Sequence, residues 1–206
     1  LLLPLTATAT PIKGFFENYQ DWDLVCDNLG TCRMAGYQKD KGFDNRVSLL
    51  FTRQAGEDAP INAELIFLDY DENDKPIKLD DKIQIILNGK SLGTIQNLKN
   101  SSSKLNAKQT TELLTALKDH ADIQFISGQF KRYISDKGAT AAMLKMDEFQ
   151  QRLNTPSALV RQGQEKRAVL TPQSIPKIEA VKINNRKTVD LQRGEKNFDN
   201  VLTLLR

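Results

Sequence analysis

The two cysteines stand six residues apart, and their setting constrains the fold more than any other feature of the chain. Cys26 and Cys32 belong to two extended segments that are separated by a turn-forming stretch, residues 27–30. This arrangement predicts a hairpin that brings the two sulfurs together. We expect a structural disulfide that stabilises the small loop by roughly 2 kcal/mol. A redox pair would need the closer C-x-x-C spacing, and a zinc site would need two more ligands, while His120 is the only histidine.

Residues 1–9 have the composition expected at the end of a secretory signal sequence. An apolar run is followed by small residues, and Ala7, Thr8 and Ala9 fit the small-x-small pattern of a cleavage site. An ordinary apolar strand or a cloning remnant would have a similar composition. A disulfide persists mainly outside the cytoplasm, and no other segment approaches the roughly 18 apolar residues of a membrane span. We therefore predict a periplasmic or secreted protein with a signal-peptide remnant at 1–9 and no transmembrane segment.

Strand-forming runs dominate the first hundred residues. Three of them, residues 46–53, 63–69 and 82–87, are rich in apolar and β-branched residues and are separated by clusters of Gly, Asp and Asn. Asn88 and Gly89 form the two-residue signal of a tight β-hairpin. Short strands joined in this way favour an antiparallel sheet or sandwich over a parallel α/β fold.

Two helical patterns follow the strands. Asn106 is a suitable cap for the first helix, which has leucines along one face. Apolar residues then recur at spacings of three and four over residues 139–153, which predicts a second helix. We expect Ser135 or Asp136 to cap this helix and the Thr-Pro pair at 155–156 to end it. The predicted fold class is α+β, with an antiparallel β-sheet or sandwich of about 7–9 strands and two amphipathic helices.

The composition changes after residue 163. Residues 10–163 have the length and apolar density of one β-rich α+β domain. Residues 164–206 contain nine basic and five acidic residues, a net charge of +4, whereas residues 1–163 contain 20 basic and 21 acidic residues, so the positive excess of the chain lies entirely in this last part. We expect a basic linker there, followed by the start of a truncated second region. Phe198 is its only aromatic residue, whereas proteins that bind single strands interleave rings with charge, so the sequence predicts no binding of nucleic acid.

An acidic stretch provides the best candidate for a metal site. Asp69, Asp71, Asn73 and Asp80 occupy positions one, three, five and twelve of a calcium-binding loop. Asp74 replaces the usual turn glycine, the last ligand is Asp instead of Glu, and strands instead of helices flank the loop. A solvated acidic connection is the alternative interpretation. The sequence predicts no cofactor other than this candidate calcium ion.

No complete set of catalytic residues is visible in the sequence. His120, at the end of the first predicted helix, suits a capping or surface role, and no G-x-S-x-G elbow accompanies it. Asp147 and Glu148 are adjacent on the second predicted helix and therefore point about 100° apart. We predict no catalytic residue, and the sequence favours a protein that is not an enzyme.

Three segments resemble a known family. WDLVCDNLGTCRMAGY, VSLLFTRQAGEDA and AAMLKMDEFQQRLNTPSALVRQG are similar to the bacterial domain-of-unknown-function family 1176. The first segment is also similar, more loosely, to the invasion-associated locus B proteins, which have a Trp shortly before a Cys. Gln151 stands where the family pattern predicts Gly. The matching positions that we single out are Trp22, Cys26, Cys32, Asp147, Gln150 and Arg152.

The resemblance implies an exported, periplasmic protein of a Gram-negative bacterium that continues into a second cysteine-bearing half. It carries over no catalytic residue, and a structural role is expected for the matching positions. We predict a non-catalytic envelope module that binds an envelope protein or surface component, which a sheet edge could recruit by strand addition. One alternative is a carboxylate-dependent hydrolase or carbohydrate-active module that uses Asp147 or Glu148. A second alternative, a host-contact or invasion-associated factor, depends on the looser resemblance alone.

Overall fold

The computed structural model describes residues 12–38, 47–67, 75, 78–98, 102–166 and 168–173. All of them belong to the first of the two units into which the chain divides, residues 1–174. The strands are β1 Phe15–Tyr19, β2 Trp22–Cys26, β3 Cys32–Tyr37, β4 Val47–Arg53, β5 Ile61–Phe67, β6 Lys82–Leu87, β7 Lys90–Gln96, β8 Ser103–Lys104, β9 Ile123–Ser127 and β10 Phe130–Ile134. The helices are α1 Ala107–Ala116 and α2 Ala139–Phe149.

The strands form two antiparallel sheets. One sheet has the order β1-β2-β3-β4-β5-β8, and the other has the order β10-β9-β6-β7. Every pairing between neighbouring strands is antiparallel. The predicted α+β class with antiparallel sheets and two helices is confirmed. The tenth strand, one more than the sequence suggested, reflects the two-residue β8.

Alternation along the strands places one face of each sheet in a shared core. In β4, Val47, Leu49, Phe51 and Arg53 are buried, and the residues between them are partly exposed. This is the period of two that a strand with one buried face requires. The last inward position is occupied by Arg53 instead of an apolar residue. The pattern therefore places a charged side chain inside the domain.

Trp22, the first residue of β2, is fully buried. Its ring stacks on Phe51 with centroids 6.1 Å apart, and its indole N–H donates to the carbonyl oxygen of Ser135 at 2.8 Å. Gly36 lies opposite Trp22 on β3, and a Cβ there would collide with the indole. Trp22 thus has a packing role that also satisfies its polar atom.

Two local predictions are confirmed. Asn88 and Gly89 have φ angles of 50° and 77°, as the tight hairpin turn between β6 and β7 requires. Asn106 caps α1 in a capping box, because its side chain accepts from the N–H of Gln109 and the Gln109 side chain accepts from the N–H of Asn106.

α2 begins at Ala139, as predicted, but its predicted cap and its predicted C-terminal end are wrong. The N-cap is Gly138, with φ of 93°, and neither Ser135 nor Asp136 caps the helix with its side chain. A side chain at Gly138 would collide with the carbonyl of Tyr19. Ser135 is instead bound to Asp21. The helix ends at Phe149 and does not reach the Thr-Pro pair at 155–156.

The disulfide between Cys26 and Cys32 is present, as predicted. The two residues face each other in the register of β2 and β3, and their Cα atoms are 4.0 Å apart. Asp27 orders the enclosed loop, because its carboxylate accepts from the N–H groups of Leu29 at 3.0 Å and Thr31 at 2.9 Å. The bridge and this turn together fix one end of the hairpin.

Reduction of the disulfide is expected to lower the free energy of unfolding by about 2 kcal/mol, the chain-entropy contribution of so small a loop. Urea unfolding with and without a reducing agent measures this change. The double variant Cys26→Ser/Cys32→Ser is the control, since its unfolding midpoint should be low in both conditions. Equal midpoints for the oxidised and reduced wild type would contradict a stabilising role.

Within the described ranges, no helix is both long and apolar enough to cross a membrane.

Candidate functional site

Arg53 is the centre of a group of buried polar side chains. Arg53 is the last residue of β4 and is only 2% exposed. Its Nη2 donates to Asp147 Oδ1 at 2.6 Å. Its Nε donates to the side-chain oxygen of Gln150, also at 2.6 Å. Burial lowers the pKa of Arg53, and the negative charge of Asp147 acts in the opposite direction. The ion pair is what permits a charged side chain at this inward position.

Asp147 projects from α2 into the interior and is 0% exposed. Its second oxygen, Oδ2, accepts from the backbone N–H groups of Leu159 at 2.6 Å and Val160 at 3.3 Å. Both carboxylate oxygens therefore have partners inside the protein. Asp147 joins α2 to β4 and to the segment that follows the helix.

Gln150, at the C-cap of α2, connects this pair to the disulfide loop. Its amide nitrogen donates to the carbonyl oxygens of Gly30 at 2.9 Å and Arg53 at 3.0 Å. Its side-chain oxygen is the acceptor for Arg53 described above. Each polar atom of this buried amide is therefore used, as burial of an amide requires.

Arg152 is a second buried arginine and binds neutral acceptors. Its Nη1 donates to Ser157 Oγ at 2.7 Å and to the carbonyl oxygen of Glu57 at 3.2 Å, and its Nη2 donates to the carbonyl oxygen of Gly56. Burial lowers the pKa of Arg152, and the positive charge of Arg53 lowers it further. Its Nε is buried and has no hydrogen-bond partner among the described residues. We call Arg53, Asp147, Gln150 and Arg152 the buried network.

The chain beyond residue 163 packs against this network. Leu170 donates its backbone N–H to the carbonyl oxygen of Gln150 at 3.1 Å and accepts from the N–H of Gly56 at 2.9 Å. Its side chain lies beside Gly30, where a Cβ would be 2.9 Å from Leu170 Cδ2. Residues 164–166 and 168–173, which we call the strap, therefore extend the packed chain past the boundary that the sequence suggested.

A cleft of about 600 Å³ lies where the strap meets the domain. Two of its walls are the turn at Glu57 and Asp58 and the turn at residues 155–157, and the strap forms the third. Arg152 fixes both turns through its bonds to Glu57 and Ser157. The lining residues are Glu57, Asp58, Thr155, Pro156, Ser157, Glu165, Lys166 and Val169.

The structure brings three of the positions singled out in the sequence into one network, namely Asp147, Gln150 and Arg152. Trp22 lies apart from them in the core, and Cys26 and Cys32 form the disulfide. The network had a further member, Arg53, that the sequence analysis did not single out. The signal for it was present, because Arg53 continues the inward alternation of β4.

The candidate calcium site stays a prediction. Asp80 is exposed, and its carboxylate accepts from the N–H of Gly128 at 2.8 Å. Asp69, Asp71 and Asn73 lie outside the described residues. In the part of the chain that the structure describes, no group of three or more His, Cys, Asp or Glu side chains is arranged to hold a metal ion.

The carboxylates of the hydrolase alternative have separate environments. Asp147 is fully buried and is bound to Arg53 and to two backbone amides. Its assignment as an acid or base stays a prediction. Glu148 is exposed and pairs with Lys145 at 3.0 Å. His120 is fully exposed, with Nδ1 3.3 Å from Asp136. This placement agrees with the surface role expected for the histidine.

Gln151 shows why the family pattern predicts Gly at its position. The residue follows the C-cap of α2 and has a φ of 57°, which is left-handed. Glycine adopts this conformation without strain, whereas other residues lose roughly 1 kcal/mol or more. The position terminates the helix and lets the chain turn toward Arg152, so it is not the helix interior that we expected.

These features define a β-rich α+β domain that contains a disulfide in its β2–β3 hairpin and a buried network of two arginines, an aspartate and a glutamine. The model of the family described as "Protein of unknown function (DUF1176)" matches residues 16–200, and the chain belongs to this family. No curated protein matches the chain. The chain is similar to the crystal structure of invasion associated protein B from Bartonella henselae, with a TM-score of 0.44 and 12% sequence identity. That similarity covers 66% of this chain and 99% of the other.

Proposed function

We propose that this protein is an exported, non-catalytic module of the bacterial envelope that binds a partner protein in the cleft beside the strap. The observation that carries the proposal is the use of Arg152. This residue holds the turn at Glu57 and the turn at Ser157 in place, and these turns are two walls of the cleft. The buried network thus supplies a rigid frame for a surface that can bind a ligand.

The chemistry of the buried network supports a non-catalytic role. A general acid or base must come within hydrogen-bond reach of its substrate. Asp147, the charged carboxylate at the centre of the network, is enclosed on all sides by Arg53 and by the backbone amides of Leu159 and Val160. These interactions are suited to holding Arg53 and the segment at Leu159 and Val160 in place.

The charge of the cleft supports a partner with basic side chains. Glu57 and Asp58 are exposed on one wall, and Glu165 faces the same space together with Lys166. Carboxylates outnumber the single amine among the lining residues. Pro156 and Val169 provide apolar surface for the stem of a bound side chain. A segment of a partner protein with a lysine or arginine fits this combination.

The disulfide supports export, because such a bridge persists mainly in oxidising compartments. We therefore propose the periplasm of a Gram-negative bacterium as the location, with secretion as the alternative. The alternative of host contact remains a prediction. It would be supported if the partner proved to be a host-cell protein instead of an envelope component.

Site-specific photo-crosslinking tests the proposal. A photo-reactive amino acid at position 58 is expected to form a discrete adduct in intact envelopes. The same amino acid at Lys131, which is exposed on β10 of the other sheet, serves as the control and should not form it. Adducts that are absent at 58, or identical at both positions, would contradict a binding role for the cleft.

Reversal of charge at the cleft is expected to reduce the yield of this adduct severalfold. Glu57→Lys changes an exposed lining residue, and high salt should weaken the same adduct because surface charges are screened. Asp119→Lys, at an exposed turn after α1, is the matched control and should leave the yield unchanged. Equal yields for Glu57→Lys and wild type would exclude the basic partner.

A further inference from the structure

The first strand of the larger sheet, β1, has a neighbour on one side only among the described residues. The direction of its free hydrogen-bonding groups follows from the disulfide hairpin. Asp27 donates its N–H to the carbonyl of Thr31 at 2.8 Å, so the adjacent pair Cys26 and Cys32 is the narrow, non-hydrogen-bonded type. The Cα separation of 4.0 Å agrees with this. The backbone groups of Cys26 therefore point away from β3 and toward β1.

The register of β1 then fixes which groups face outward. Phe15 lies opposite Cys26, so Phe15, Glu17 and Tyr19 direct their backbone groups to β2. Phe16 and Asn18 direct their N–H and C=O groups away from the sheet. An edge with such groups is a template for another strand. Proline, the usual protection of an edge, is absent from β1.

The side chains on the inner face of this edge include one positive and one negative charge with an aromatic ring between them. Lys13, Phe15 and Glu17 line one side of a groove of about 240 Å³, and one face of α2 lines the other. The floor is apolar, because the ring of Phe15 lies 5.2 Å from that of Phe149 in an edge-to-face contact. Along this side of the strand the order is therefore positive, apolar, negative.

The outer face of the same edge exposes a pair of large apolar side chains. Phe16 is 62% exposed, and Val25, opposite it on β2, is 38% exposed. A strand added beside β1 would place its own side chains within reach of Phe16 on this face. The edge thus has free backbone groups, apolar surface and a charge pattern in one place.

We propose that β1 pairs antiparallel with β1 of a second copy of this chain, about a twofold axis at Phe15. Because the second copy of β1 runs in the opposite direction, the positive end of each strand lies opposite the negative end of the other. Lys13 of each copy then faces Glu17 of the other, and the two Phe15 rings are neighbours. The outward groups of Phe16 pair with those of Gly14, which leaves space for the exposed ring. The two six-stranded sheets become one continuous sheet, in an isologous interface.

The charge pattern also selects the register. The next register that the outward groups allow places Phe16 opposite its own copy. In that register Phe15 of each copy lies opposite Glu17 of the other, and Lys13 lies opposite Tyr19 of the other. Both intermolecular ion pairs are therefore lost. The dimer is independent of the proposed binding function, because the edge and the cleft have no lining residue in common. Failure of either proposal therefore leaves the other standing.

Sedimentation of the full oxidised chain over a range of concentrations tests the proposal. We expect the wild type to dimerise reversibly, and Lys13→Glu and Glu17→Lys each to weaken the dimer about tenfold or more, since each places like charges opposite one another twice. The double variant Lys13→Glu/Glu17→Lys restores opposite charges and should dimerise like the wild type. All changes lie at exposed positions, and unfolding midpoints verify that each variant is folded.

Three results would overturn the dimer. The first is a wild type that remains monomeric up to submillimolar concentration. The second is a dimer that neither single charge reversal weakens, which would place the contact elsewhere. The third is a double variant that fails to recover, which would show that Lys13 and Glu17 do not face each other.

Discussion

Replacement of Asp147 by asparagine is expected to lower the free energy of unfolding by about 3–5 kcal/mol, because it leaves a buried guanidinium without its counter-charge. Arg53 has no other carboxylate partner in the described part of the chain. The asparagine also weakens the acceptor for the amides of Leu159 and Val160. Urea unfolding at neutral pH, followed by circular dichroism, measures the loss.

The adjacent residue provides the control for this prediction. Glu148 is exposed and bound to Lys145 by an ordinary surface ion pair, and Glu148→Gln should change the free energy of unfolding by less than about 0.5 kcal/mol. A loss of similar size for both variants would contradict the structural role of Asp147. An enzymatic activity that depends on Asp147 in a fully folded variant would also contradict it.

Replacement of Trp22 by alanine has the second large expected effect, a loss of about 3–5 kcal/mol. The change removes a fully buried ring that stacks on Phe51 and approaches Gly36. It also leaves the buried carbonyl of Ser135 without its donor. Thermal and urea unfolding followed by circular dichroism detect the loss without relying on tryptophan fluorescence.

Trp22→Phe is the milder comparison. The phenylalanine keeps one aromatic ring but loses the indole N–H and part of the buried volume, so its loss should be about 1–3 kcal/mol, smaller than that of the alanine. If Trp22→Ala and Trp22→Phe were equally mild, the ring would not be a central packing element. If they were equally severe, the ring that phenylalanine retains would contribute little to stability.

Features that depend on a few neighbouring residues could be predicted from the sequence. The disulfide joins residues in one hairpin, the Asn88–Gly89 turn requires left-handed φ angles at two adjacent positions, and the Asn106 capping box spans a single helical turn. In each of these cases the residues that interact are close in the chain.

Features that depend on distant residues could not be predicted. Arg53 binds Asp147 and Gln150, which are more than ninety residues away. A sequence does not show which distant side chains will meet. The N-cap of α2 was misjudged because Gly138 is required by the close approach of Tyr19, a contact between distant segments. The strap was interpreted as a linker because its attachment through Leu170 uses backbone groups, which leave no signal in the side chains.

The account rests on a structural role for the buried network, and a double-mutant cycle between Arg53 and Asp147 tests that role most directly. The variants are Arg53→Met, Asp147→Asn and their combination, each measured by urea unfolding. Removal of both charges leaves no buried ion without a partner, so the double variant should lose less stability than the sum of the two single losses, by at least about 1 kcal/mol. Additive losses would show that Arg53 and Asp147 do not stabilise each other, and would contradict the account.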